Sequence, residues 1–141
     1  HLARALVQMG AVGHVKEAFN KYIDFGGPAY VPKLQFSVQD AIAWIKQLGG
    51  VAVLAHPTAE QINSDFIPQL VQLGLRGIEV WHSRHKPVVT SRLVYVSHEF
   101  NLIATGGTDC HGQVGDQPPA LGTLNIPYNI VDQLRNACSS V

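Results

Sequence analysis

Charge is scarce in this chain: Asp, Glu, Lys and Arg supply 14% of the 141 residues, and the basic and acidic side chains number 10 each. No strong electrostatic field therefore favours nucleic acid or an anionic membrane. Cysteine is scarcer still. Cys110 and Cys138 make neither a disulfide framework nor a zinc-finger pattern, and they point to a reducing compartment, the cytoplasm. Long apolar runs are missing: the longest aliphatic stretch covers residues 51–55, far below the ~18 that a membrane span needs. No charged-then-apolar leader opens the chain, so no membrane partner is expected. An initiator Met is also missing, and His1 leads straight into an apolar helical pattern, so an N-terminal part is expected to precede it.

What is present is apolar mass. Hydrophobic residues make up 46% of the chain, which excludes disorder through high charge and low hydropathy and predicts a substantial core. Leu2, Ala5, Leu6 and Met9 recur at helical spacing, as do Val15, Ala18, Phe19, Tyr22 and Ile23, until Gly26-Gly27-Pro28 stops the pattern. A helical hairpin is predicted there, with Phe19 and Tyr22 in its core. The aperiodic stretch that follows reads as a linker, so residues 1–36 are expected to form a small helical subdomain and residues 37–141 a separate unit.

The texture changes at Ser37, which with Asp40 forms an N-cap pattern ahead of a helix carrying Ile42 and Trp44, both assigned to the core. Strands are predicted at 51–55, 77–81 and 102–105, with helices over 66–73, from Pro87 to about 100, and over 129–138. Pro68 leaves the start of the 66–73 helix open. Evenly spaced strands separated by helices give the βα rhythm of a parallel barrel or doubly wound sheet. In such folds chemistry gathers where strands end, and each strand here runs into His or Asp.

Asp109 and His111 are two apart, so an extended segment would place both side chains on one side, and a carboxylate with an imidazole suits Mn, Zn or Fe. A solvated loop with Asp109 capping a turn is the competing reading. His56 taken singly is a buried imidazole bonded to a carbonyl; taken with Asp109 and His111 it becomes a metal ligand. Glu79, mid-strand among apolar neighbours, either orients a ligand as an outer-shell partner or faces outward. His82, Arg84, His85 and Lys86 follow the second strand as a cationic loop, suited to a phosphate or else simply solvated. His14 and His98 read as surface residues, and Cys110 as a packing residue.

Taken together, His1-Leu2-Ala3-Arg4-Ala5-Leu6, Gly27-Pro28-Ala29-Tyr30-Val31-Pro32, Gly49-Gly50-Val51-Ala52-Val53-Leu54-Ala55-His56-Pro57, Gly77-Ile78-Glu79-Val80 and Gly106-Gly107-Thr108-Asp109-Cys110-His111-Gly112 resemble the polymerase and histidinol phosphatase (PHP) family. The likeness is to its bacterial branch acting on nucleotides and short RNA. Five blocks in order carry it along nearly the whole chain. It implies an α/β fold, a distorted β/α barrel with a small helical insertion. Only the C-terminal half of that barrel is represented: the H-x-H pair and the other ligands of the family's first half are absent.

The resemblance implies that His56, Asp109 and His111 are metal ligands, and that His1, in the helical insertion, and His85 meet the substrate with Arg84. Close relatives often have Gly then Arg after His-Pro, the Arg meeting the substrate phosphate; Thr58 and Ala59 stand there instead. It further implies a metal-dependent phosphoesterase using two or three divalent ions, Mn first and Zn or Fe as alternatives, to activate water against a nucleotide or short-RNA phosphoester. A non-catalytic metal-binding fragment or binding module with an incomplete cluster is the alternative. The chain without the missing N-terminal half is expected to be inactive.

Overall fold

The computed structural model describes residues 1–112 and 120–138 and divides them into two compact units, His1–Gln35 and Phe36–Val141. In the first unit, α1 (Leu2–Gln8) and α2 (Val15–Ala18) close over Ala3, Val12 and Ala18, with Leu6, Val7, Tyr22 and Ile23 packed around them. The His14 ring caps α2 by accepting the Glu17 N–H at 3.2 Å. Glu17 in turn is held by Lys21 at 2.6 Å and by the Gly13 N–H, which together keep its carboxyl below the usual range. Phe19 is 41% exposed rather than core. The chain changes winding at that residue into a π-helical turn, Phe19–Ile23, which breaks the 3.6-residue stripe on which Phe19 had been placed.

The second unit begins at Phe36, next to Ser37. The Ser37 hydroxyl accepts the Asp40 N–H at 3.0 Å and caps α3 (Val38–Gln47). Ile42 is the buried residue of this helix. Trp44 lies two residues further, about 200° round the axis, and so cannot share that face. It is 47% exposed, with its ring edge-on to Phe36 at 4.6 Å, which corrects its assignment to the core.

Three strands follow, β1 (Val53–Leu54), β2 (Gly77–His82) and β3 (Ile103–Gly107), all parallel and in the order β1-β2-β3. A short helix absent from the sequence reading, α4 (Ala59–Ile62), starts at a capping box: Thr58 Oγ1 accepts the Gln61 N–H, and Gln61 Oε1 accepts the Thr58 N–H at 2.8 Å. α5 (Phe66–Leu73) and α6 (Pro87–Glu99) connect the strands, and α7 (Asn129–Cys138) packs against β3. Pro68 is tolerated because it falls in the first turn of α5, where its missing N–H would have no intrahelical partner.

The core lies between the helices and one face of the sheet. Ile67, Ile78, Val80 and Leu93 are fully buried there, each stabilising the fold by about 1.5–3 kcal/mol of transfer free energy. Among the described residues β1 and β3 each pair along one edge only.

Two features place the functional side chains. The pairing of β2 with β3 slips between Glu79 and Trp81: Glu79 faces Thr105, and Trp81 faces the very next residue, Gly106. This is a β-bulge, one extra residue on β2, and it changes which side the following side chain takes. Val80 and Trp81 both pack on the core, and His82 ends the strand at only 3% exposure. Gly106 makes the bulge possible, since a Cβ there would fall 2.8 Å from the Cβ and the carbonyl oxygen of Trp81. The second feature is backbone strain: His56 (φ 31°) and Asp109 (φ 51°) both adopt positive φ, uncommon for residues other than glycine.

Candidate metal centre

His56, His82, His85 and Asp109 come together at the carboxyl ends of the three parallel strands. His56 follows β1, with its backbone N–H donated to Glu79 Oε2 at 2.7 Å. Glu79 thus faces the strand-end mouth and fixes the segment that carries His56. The His56 and His82 rings lie 5.7 Å apart, and those of His82 and His85 5.1 Å apart. With Pro57, Thr58 and Arg84 these imidazoles line a cavity of about 280 Å³. Ser83 ties the end of β2 to the loop after β3 by donating to the Thr108 carbonyl at 2.9 Å.

Asp109 is the acceptor at the centre of the cluster. Arg84 Nη2 donates to its Oδ2 at 3.1 Å, and His82 Nε2 stands 3.8 Å from the same oxygen. His111 Nδ1 is 4.0 Å from Oδ1. The positive φ of Asp109 overturns the extended-segment reason for pairing it with His111. The two are linked through the backbone instead, by a 2.6 Å contact from His111 Nδ1 to the Asp109 carbonyl, and the His111 side chain is exposed. Cys110 between them is also exposed, which corrects its reading as a packing residue. His1 lies ahead of α1 in the first unit, with no side-chain cap bond. Lys86 is the N-cap position of α6, and His98 sits in its last turn.

Hydrogen bonding sorts the imidazoles by which nitrogen is left for a ligand. A carbonyl only accepts, so His111 Nδ1 donates to Asp109 O and His85 Nδ1 donates to Val80 O at 3.0 Å. Each ring, in its neutral form, offers an Nε2 lone pair, the arrangement common among metal-bound histidines whose second nitrogen is anchored on a carbonyl. His82 is the reverse case. Its Nδ1 accepts the Arg84 backbone N–H at 3.1 Å, so the proton of the neutral ring sits on Nε2. That nitrogen is buried without a hydrogen-bond partner.

A carboxylate with neighbouring imidazoles is a donor set that suits a divalent ion. Among the described residues, however, no three His, Cys, Asp or Glu side chains are disposed to hold an ion by themselves. The donor types fit; the cluster is partial. His82, read from sequence as part of a cationic loop after the second strand, is instead the last residue of β2, buried beside Asp109. The paired glycines opposite it, Gly106-Gly107, were the available signal for the bulge.

No family model matches the chain. The chain is 33% identical over 132 residues to the 3′,5′-nucleoside bisphosphate phosphatase of Chromobacterium violaceum, covering 84% of this chain and 46% of that protein. It is 41% identical over 81 residues to the phosphoribosyl 1,2-cyclic phosphate 1,2-diphosphodiesterase of Eggerthella lenta, covering 57% and 30%. To the 5′-3′ exoribonuclease Rnm of Escherichia coli it is 30% identical over 115 residues, covering 79% and 39%. Among solved structures, a metal-dependent phosphoesterase from Bifidobacterium adolescentis superposes with a TM-score of 0.71 at 29% identity, over 96% of this chain and 48% of that one. An amidohydrolase from Chromobacterium violaceum, with bound sulfate and no metal, gives 0.60 at 28% identity over 96% and 49%. The parallel βα unit, with a carboxylate and imidazoles at its strand ends, is similar in fold to about half of that phosphoesterase structure. In sequence the chain is similar to part of the PHP phosphoesterase branch. It spans 30–46% of the length of these curated relatives.

Proposed function

We propose that the chain supplies part of the active centre of a metal-dependent phosphoesterase acting on a nucleotide or short-RNA phosphoester. The observation that carries this reading is the meeting of Asp109 with His56, His82 and His85 at the carboxyl ends of parallel strands, where β/α folds keep their chemistry. The names of the relatives, a bisphosphate phosphatase, a cyclic phosphate phosphodiesterase and an exoribonuclease, support the substrate class. In this reading His56, Asp109 and His111 hold divalent ions, Mn before Zn or Fe, with the remaining ligands supplied by the N-terminal half of the barrel. Residues 1–36 form the helical insertion, for which His1 retains a substrate role by resemblance alone, and residues 37–141 form the second half of the barrel. The free cysteines suit a cytoplasmic location, and no helix among the described residues is long and apolar enough to cross a membrane.

The chemistry a divalent ion supplies when bound is activation of water near neutral pH and polarisation of a phosphoryl oxygen. The chain's own groups do the rest. Glu79 holds the His56 segment in place. Arg84 pairs with Asp109 through an exposed guanidinium, which could turn to a substrate phosphate if Asp109 held an ion. His85, anchored through Nδ1, presents Nε2 to the cavity, where it can accept or return a proton at the leaving oxygen.

The test is a panel of nucleoside 3′,5′-bisphosphates and short oligoribonucleotides assayed with the full-length protein, with and without Mn²⁺. Turnover that needs the metal and fails in Asp109→Asn supports the reading. Metal-independent turnover, or an active Asp109→Asn, refutes it.

A further inference from the structure

We infer that His82 is a positioning residue for Asp109, acting as a neutral hydrogen-bond donor through Nε2 and not as a metal ligand. This rests on the proposed role of Asp109 in a metal centre. His82 is 3% exposed, yet its Nε2 has no hydrogen-bond partner, an arrangement that costs free energy unless something compensates it. Its other nitrogen fixes the tautomer. Nδ1 accepts the Arg84 backbone N–H at 3.1 Å, which an imidazolium could not do, so the ring is neutral with its proton on Nε2. A protonated Nε2 has no lone pair for a metal. It is a donor, and the acceptor before it is Asp109 Oδ2 at 3.8 Å, just beyond bonding range.

Arg84 explains why the gap is open. Its guanidinium occupies the same Oδ2 at 3.1 Å, while the side chain is 71% exposed and free to leave. When a cation takes the charge of Asp109, Arg84 is repelled, and His82 is the buried donor left to bond Oδ2. That bond would fix the carboxylate rotamer and direct its remaining lone pairs toward the ion, as outer-shell donors do at metal sites.

The test is Mn²⁺ binding to the full-length protein by calorimetric titration, with thermal unfolding of each metal-free variant as the folding control. His82→Leu removes the donor and should weaken Mn²⁺ about 10–100-fold, whereas His82→Gln, whose amide N–H replaces Nε2–H, should stay within about threefold of wild type. Equal loss in both variants overturns the donor role, and wild-type affinity in His82→Leu removes His82 from the centre altogether. Asp109→Ala separates the two levels: if it binds Mn²⁺ as wild type does, the metal reading itself fails; if it alone loses binding, only the role of His82 fails. Should His82→Leu not fold, ¹⁵N-resolved imidazole spectra of the wild type decide. A neutral His82 protonated at Nε2, with that proton shifting on addition of diamagnetic Zn²⁺, supports the inference, and protonation at Nδ1 overturns it.

Discussion

Glu79 on β2 accepts the His56 backbone N–H at 2.7 Å, and so ties the second residue after β1, at φ 31°, to the neighbouring strand. A carboxylate bond to an amide is stronger than a neutral one, and here it offsets a backbone conformation that is costly without support. Glu79→Ala should lower stability by about 1–3 kcal/mol, whereas Glu79→Gln, which keeps an acceptor oxygen, should lose less than half of that. Denaturant unfolding of the full-length protein checks the ordering. Equal stability of Glu79→Ala and wild type would show that the bond does not hold His56.

Gly106 should tolerate no side chain. A methyl group there meets the Trp81 backbone at 2.8 Å, so Gly106→Ala must straighten the bulge or push β2 from β3. We expect a loss of about 1–3 kcal/mol, as for overpacking elsewhere. Gly107→Ala should be milder, because its new methyl would meet Glu79 Oε1 at an ordinary 3.5 Å. Thermal unfolding of the two variants compares them directly, and equal midpoints would remove the reason given for the bulge.

Arg84→Ala separates two roles of one side chain. Its pairing with Asp109 is exposed and so contributes roughly 0–1 kcal/mol, which predicts that metal affinity rises by no more than about fivefold. Substrate KM should rise by a larger factor if the guanidinium meets the phosphate. Mn²⁺ titration and steady-state kinetics read the two effects independently. An unchanged KM would leave Arg84 as a counter-ion only.

The isolated chain of residues 1–141 should show little phosphoester turnover. Among the described residues its ligand cluster is partial, and both sheet edges are unpaired, which favours association over catalysis. Adding the N-terminal half in trans should raise turnover. Full activity of the isolated chain, abolished by His56→Ala, would show the site to be complete within it.

How much of this could be read from sequence varies with the physics involved. Ser37, Pro87 and the alternation of strand and helix announce themselves, because caps and periodicity are local. The strand at 51–55 contracts to Val53–Leu54, since only those residues pair with β2. Trp44 and Phe19 were misplaced for different reasons: one sits on the wrong side of a regular helix, and the other falls where the helix changes its winding. In the site, His56, His82 and Asp109 were all read at strand ends, which is where they lie, but the loop reading of His82 missed its burial at the end of β2. Burial there depends on what distant parts of the chain bring against the strand end, and the slip between β2 and β3 changes no local pattern.

The most direct measurement is Mn²⁺-dependent hydrolysis of a nucleoside 3′,5′-bisphosphate by the full-length protein after chelation, for wild type, Asp109→Asn and His98→Ala. We predict no turnover after chelation, recovery with Mn²⁺ in wild type and His98→Ala, and no recovery in Asp109→Asn. Turnover that survives chelation, or an Asp109→Asn variant as active as His98→Ala, would contradict the assignment of the strand-end cluster to metal-dependent phosphoester hydrolysis.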